Sequence, residues 1–493
     1  MADFTTPASD AGPVQAHAFP LKPAITVALA ALADWLFYDQ LIGISAVLFA
    51  LALIFGSLLA NFATWEKKQA LLAGIIVLLG LLPAFEEFNA MSLGFITLTL
   101  AVGVQLAAKP GFERLGQRAS ALLDLYLIGP FRFFREAPGM FHLPAILAGI
   151  AAWFIPVVLS GVFVFLFAAA NPMIEKWINL ITPGSAPSYV NVGRTIFWIV
   201  ALSLVWPFIH IRWRNRSRVA AETTTQAPET PSGDVIFFGP ATILRSLILF
   251  NLLFAVQTVL DAIYLWGNTT LPADISYASY AHRGAYPLII TALLAAGFVL
   301  ASMRPGGPAD RSRIIRPLVY LWVAQNVLLV ASSILRLDLY VQIYLLTWWR
   351  VAAFIWMVLV MIGLLLIVAR IALNRSNAWL VRMNLLTLTA TLYFCSLINL
   401  TPLIADYNVS HSREVSGKGV EIDMNYLFHL GPQALPAIDR VISLRSYGPS
   451  LAPRRNDLVE QQQRIMASWR AWGFRSWRLQ RTLDAQQKNS TAG

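Results

Sequence analysis

Apolar residues run through this chain in long blocks, not in alternation. The stretch AFIWMVLVMIGLLLIVA (353–369) is typical. A helix needs about 20 apolar residues to cross the hydrocarbon core, and it satisfies its own backbone on the way. Blocks of this kind predict about eleven spans, at 22–38, 43–61, 69–84, 90–108, 143–168, 193–211, 243–266, 285–303, 316–335, 343–371 and 380–400. The period-2 pattern of a transmembrane barrel is absent. The predicted fold is therefore all-α: a polytopic transmembrane helix bundle with a small C-terminal extracytoplasmic helical domain.

The polar stretches divide the chain. Residues 1–21 form a polar N-terminal tail, followed by a six-span membrane half at 22–212. The tail has no basic start and no clear small-residue cleavage site, so the first span reads as an uncleaved anchor. A flexible linker is expected at 213–240, where VAAETTTQAPETPSGD offers little apolar surface to bury. A five-span half follows at 241–400, and the extracytoplasmic domain takes 401–493. The halves show no convincing internal repeat. Residues 112–136 mix aromatics with arginines and suit a helix lying in the membrane interface.

Composition agrees with this reading. The chain of 493 residues is 57% hydrophobic and only 13% charged, against about 25% charged in soluble domains. Its net charge of +11 does not point to nucleic acid, because the basic residues sit between spans. Nineteen Lys and Arg fall on one set of alternating connections and five on the other. Positive residues favour the cytoplasmic side, which predicts a cytoplasmic N-terminus and an extracytoplasmic C-terminus. The single cysteine, Cys395, lies in an apolar run and reads as a small apolar residue.

Two C-terminal patterns stand out. IDMNYLFHLGPQALPAIDRVISL predicts two short helices broken at Gly431 and Pro432. A single helix is expected from about Asn456 to Gln487, with Leu458, Ile465, Trp469, Trp472, Leu479 and Leu483 on one face. That face packs on a neighbour or rests on the outer membrane surface.

The stretch YASYAHRGAYPL (277–288) gathers polar chemistry beside an apolar run. Its tyrosines suit the interfacial belt, and an arginine there can snorkel to water. Charges within spans, however, usually face the bundle interior and mark function. Asp34 and Asp261 are the most costly carboxylates, and Arg283 and Arg350 are their natural partners. Asp34, Asp261, Tyr280, His282, Arg283 and Arg350 are accordingly the expected members of an outer-facing polar cluster. Arg336 and Asp338 are expected in the connection after the ninth span. Asn251, Gln257, Gln325 and Asn326 are expected to join helices by hydrogen bonds.

Familiar catalytic and cofactor motifs are missing. The six histidines are scattered, with no metal-ligand spacing, no Walker loop and no dinucleotide fingerprint. No catalytic residue, metal or cofactor is assigned. The expected partners are the lipid bilayer and either an envelope protein or a lipid-linked ligand, with no nucleic acid.

ALADWLFYDQLIGIS (31–45), SYASYAHRGAYPLIITALLAAGFVL (276–300) and IADYNVS with IDMNYLFHLGPQALPAI (404–438) resemble blocks of an uncharacterised bacterial polytopic inner-membrane protein family, known only as a domain of unknown function. The resemblance implies a multi-pass protein of the bacterial plasma membrane. It carries over no activity and no functional residue. The expected function is an envelope-facing structural, sensory or assembly component with an outer-facing polar pocket. A transporter or lipid-handling protein, and a membrane-embedded transferase or hydrolase, are the alternatives.

Overall fold

The computed structural model describes residues 21–61, 67–108, 120–140, 191–211, 240–266, 297, 312–443 and 448–492. Among them all regular structure is helical. The 143–168 span, most of the 285–303 span, nearly all of the 213–240 linker and the N-terminal tail lie outside the described residues. So does the whole of YASYAHRGAYPL, with Tyr280, His282 and Arg283. The chain forms two compact units: Met1–Ala221 with Ile465–Arg478, and Glu222–Arg464 with Leu479–Gly493.

The first unit contains α1 (Leu21–Phe37), α2 (Ile44–Ala60), α3 (Lys67–Glu86), α4 (Ala90–Ala108), a π-helical turn (Asp124–Ile128) leading into α5 (Gly129–Met140), and α6 (Val192–Ile209). Small residues let α3 and α4 approach closely. A Cβ on Gly80 would come within 2.2 Å of Thr99, and one on Gly103 within 2.8 Å of Val77. This is the packing logic of helices in lipid, where burial of apolar surface no longer drives association. Pro207 lies inside α6, near its end. The last carbonyls of that helix are met from α2: Ser57 donates to Phe208 O and Asn61 donates to Ile209 O. The aromatic segment predicted to lie in the interface is helical from residue 120. It packs on α6, with Trp206 Nε1 donating to Glu136 and Tyr126 5.8 Å from Phe208.

The second unit begins with α7 (Pro240–Asp261), which passes into a π-helical turn (Ala262–Trp266). Then come α8 (Ile315–Tyr344), α9 (Trp348–Ala372) and α10 (Asn377–Leu397). Ile243 and Leu247 of α7 pack with Val319, Trp322, Met357 and Leu364 in one buried core. Thr347 and Ser376 cap α9 and α10 by accepting from the backbone N–H three residues on. The short elements α11 (Leu400–His411), α12 (Arg413–Ser416), α13 (Met424–His429) and α14 (Leu435–Ile442) follow. They enclose a core of their own around Val409, Leu427, Ile438 and Val441. The break between α13 and α14 falls at Gly431 and Pro432 as the pattern predicts, with Gly431 at φ +82°.

Among the described residues six helical stretches are long and apolar enough to cross a membrane: Lys68–Glu86, Ala90–Ala107, Thr242–Asp261, Ile315–Tyr344, Trp348–Ala372 and Asn377–Leu397. With these helices the chain is a membrane protein. Three other predicted spans form helices of 17, 17 and 18 residues, namely α1, α2 and α6.

Two expectations change. The ninth span does not end near residue 335, because α8 continues for 30 residues to Tyr344. Arg336 and Asp338 therefore stand inside a helix and not in a connection. The single helix expected over 456–487 is instead α15 (Gly448–Ala467) and α16 (Phe474–Ala492). Between them a short 3₁₀ turn spans Trp469–Ala471, and Gly473 lies just before the next helix, its carbonyl accepting from Trp477 N–H. Helical spacing put both tryptophans on one face, but tertiary contacts outweigh that local periodicity.

Candidate functional site

Asp34 is near the end of α1 and is 7% exposed. Its partner is Arg194, in the first turn of α6. Nε of Arg194 donates to both carboxylate oxygens at 2.9 and 3.1 Å, and Nη2 donates to Oδ2 at 2.5 Å. The pair is a two-point fork, the geometry a guanidinium offers and an ammonium does not. Asn191 sets it up by capping α6, accepting from Arg194 N–H and from the Tyr38 hydroxyl. The Arg194 guanidinium also lies 5.5 Å from the centre of the Tyr38 ring.

Residues 465–478 are anchored at the same end of the first unit. Ile44 N–H, at the start of α2, donates to Trp472 O at 2.8 Å. A Cβ on Gly43 would lie 2.4 Å from the Ala471 carbonyl, so only glycine permits this approach. Arg470 donates to Trp35 O and sits between the rings of Trp35 and Trp469. Buried Arg475 bridges Glu86 and Glu87 at the end of α3, and Arg478 joins Glu86. Lost regular structure at 468–473 is thus replaced by a backbone bond, aromatic packing and ion pairs. In the sequence Glu86 and Glu87 stand out only by their place after the third apolar block, and nothing there points to the C-terminal arginines that meet them.

In the second unit Asp261 is 2% exposed at the end of α7. Arg336 of α8 donates to its Oδ1, and Gln257, one turn earlier on α7, donates to the same oxygen. Both charged side chains of this pair are almost fully buried. A cavity of about 60 Å³ adjoins them, lined by Thr258, Asp261, Trp266 and Ser332 among others. Deeper between α7 and α8, Asn251 donates to Leu318 O and Gln325 donates to Asn251 O. Of the four amides expected to join helices, Asn251 and Gln325 do so, whereas Gln257 donates to Asp261 and Asn326 to Trp322 O within their own helices.

Arg350 takes another role. It stands in the first turn of α9, and its Nη1 donates to Tyr344 O and Leu345 O. The helix end at Tyr344 leaves carbonyls without helical partners, and Leu345 at φ +63° turns the chain. Asn408 of α11 holds the same corner from the other side, accepting from Leu346 N–H and donating to Leu346 O. The Tyr426 hydroxyl accepts from Trp348 N–H, and burial raises its pKa. The expected pairing of Asp34 or Asp261 with Arg350 is therefore corrected: the partners are Arg194 and Arg336. In the sequence Arg194 reads only as one of the five positive charges of the outer connections, and Arg336 as part of the connection after the ninth span. The Asn191 cap and the Gln257–Asp261 spacing were the available signals.

Among the described residues no group of three or more His, Cys, Asp or Glu is placed to hold a metal ion. The first unit also has an apolar cavity of about 450 Å³, walled by α1, α2, α4 and α6 and the Tyr126 ring. No curated protein and no solved structure matches the chain. The family model described as domain of unknown function (DUF4153) matches residues 24–441, and the chain belongs to that family.

Proposed function

We propose that this protein is an envelope-facing structural or assembly component of the bacterial inner membrane. It crosses that membrane many times, with its N-terminus in the cytoplasm and its C-terminal helices outside. The observation that carries this reading is the static use of charge. Asp34, Asp261, Glu86 and Glu87 each pair with an arginine of their own unit. Meanwhile residues 400–464 build a separate small core whose surface carries exposed charges, including Arg413 and Glu421. A charged surface outside the bilayer suits recognition of an envelope protein of complementary charge.

The test is site-specific photo-crosslinking in intact cells from exposed Lys418 and Glu421, beside the neutral exchange Asp261→Asn with Arg336→Met. Discrete protein adducts that persist in the exchange variant support a scaffold. Loss of adducts in the exchange variant, or adducts to lipid alone, count against it. Lipid handling is the second reading, favoured by the apolar cavity of the first unit.

A further inference from the structure

We infer that the first unit holds one hydrocarbon tail of a membrane phospholipid in its apolar cavity, with the lipid phosphate on Arg194. The inference does not depend on the scaffold reading and needs only that this unit lies in a bilayer.

The cavity dictates its occupant. Its volume of about 450 Å³ falls within the range of about 300–1,000 Å³ found for small-molecule sites. The rings of Phe37, Phe49, Phe88, Phe197 and Phe208 supply much of its wall. Among the described lining residues only two side chains are polar, Thr97 and Tyr126, and both hydroxyls are already engaged. Thr97 donates to Gly94 O, and Tyr126 donates to Thr97 O. A polar ligand would find no free side-chain group among the described residues of this wall and would lose its hydration. A hydrocarbon chain loses nothing of the kind.

The cavity wall leads to a cation through a continuous set of contacts. Phe197 meets Tyr38 edge to face at 5.7 Å, and the Arg194 guanidinium lies 5.5 Å from the centre of the same Tyr38 ring. The Arg194 side chain is 57% exposed. Its Nε and Nη2 are fixed by Asp34, while Nη1 bonds to no protein group among the described residues. A guanidinium with one edge anchored and one edge open is suited to a phosphate oxygen. Asp34 positions this edge but also reduces its net charge, so the tail is expected to supply most of the retention.

The experiment is native mass spectrometry of the full chain in mild detergent, titrated with phosphatidylglycerol and, separately, with diacylglycerol. The wild type is expected to retain one phosphatidylglycerol. Ala201→Phe fills the cavity wall, and Val200→Trp places bulk at a partly exposed lining position that tolerates it. Each is expected to lower retention of both lipids about tenfold. The pair Asp34→Asn with Arg194→Gln removes the cation without leaving a lone carboxylate. It is expected to lower phosphatidylglycerol retention about threefold and leave diacylglycerol unchanged. Where Ala201→Phe does not fold, judged by gel filtration, Val200→Trp decides alone. Unchanged retention in Val200→Trp overturns the tail site. Equal effects of the charge-removing pair on both lipids overturn the place given to the phosphate.

Discussion

Two carboxylates end two helices, one in each unit, and each is held by an arginine from a distant part of the chain. Their surroundings differ. Asp34 is buried, but Arg194 is more than half exposed. Asp261 and Arg336 are both nearly sealed from solvent. An exposed cation keeps its hydration whether or not its partner remains. A buried one does not, so removing either member of the Asp261–Arg336 pair strands the other. Loss of the carboxylate is thus tolerable in the first unit, whereas loss of either partner is costly in the second.

The comparison breaks most clearly at Arg336. Arg336→Met should destabilise the second unit by about 3–5 kcal/mol, the usual result of leaving one charge of a buried pair alone. Adding Asp261→Asn should recover most of that loss. Thermal unfolding of the detergent-solubilised protein reads both, and a single variant as stable as the wild type would remove the pair from the account.

Next in size is Asn408, which is 4% exposed and bonds both backbone groups of Leu346. Asn408→Ala leaves a buried donor and acceptor unmet, at about 1–3 kcal/mol. Hydrogen exchange at 345–348 should accelerate in this variant, and exchange in the first unit should not.

A smaller effect is expected from Asp34→Asn, because the exposed Arg194 can return to water. Its shift in melting temperature should be well below that of Arg336→Met. A shift as large as that one would show that exposure does not separate the two pairs.

The smallest effect concerns pH. Burial raises the Tyr426 pKa above its usual value near 10, so the folded state keeps this proton longer than the unfolded chain does. The resulting contribution is constant below pH 10 and falls as pH rises through the folded pKa. Unfolding measured from pH 8 to 11 should show a modest decline at the alkaline end that Tyr426→Phe reduces. An unaltered decline in that variant would assign the pH dependence to other groups.

Much of the local plan was legible in the residues. Helical blocks, the break at Gly431 and Pro432 and the joining role of Asn251 and Gln325 follow from spacing and side-chain chemistry. Charge cost singled out Asp34 and Asp261 correctly as groups that need partners. The partners were not legible. Arg194 is 160 residues from Asp34, and Arg336 is 75 from Asp261. Local pattern ranks such candidates by charge alone, which is why Arg350 was as good a choice as either.

What the sequence determined by itself was where apolar helices form, where glycine and proline interrupt them, and which charges are costly. Those follow from backbone satisfaction and hydration, which act on each segment separately. Only the tertiary structure decided that α8 runs on through Arg336, because Asp261 meets that charge inside the bundle. It also decided that 468–473 leaves the helix. There the Trp472 carbonyl, the Gly43 approach and the Arg475 bridge to Glu86 and Glu87 replace what a continuous helix would have supplied. Long-range contacts of this kind depend on which helix ends meet, and no periodicity within one segment encodes that.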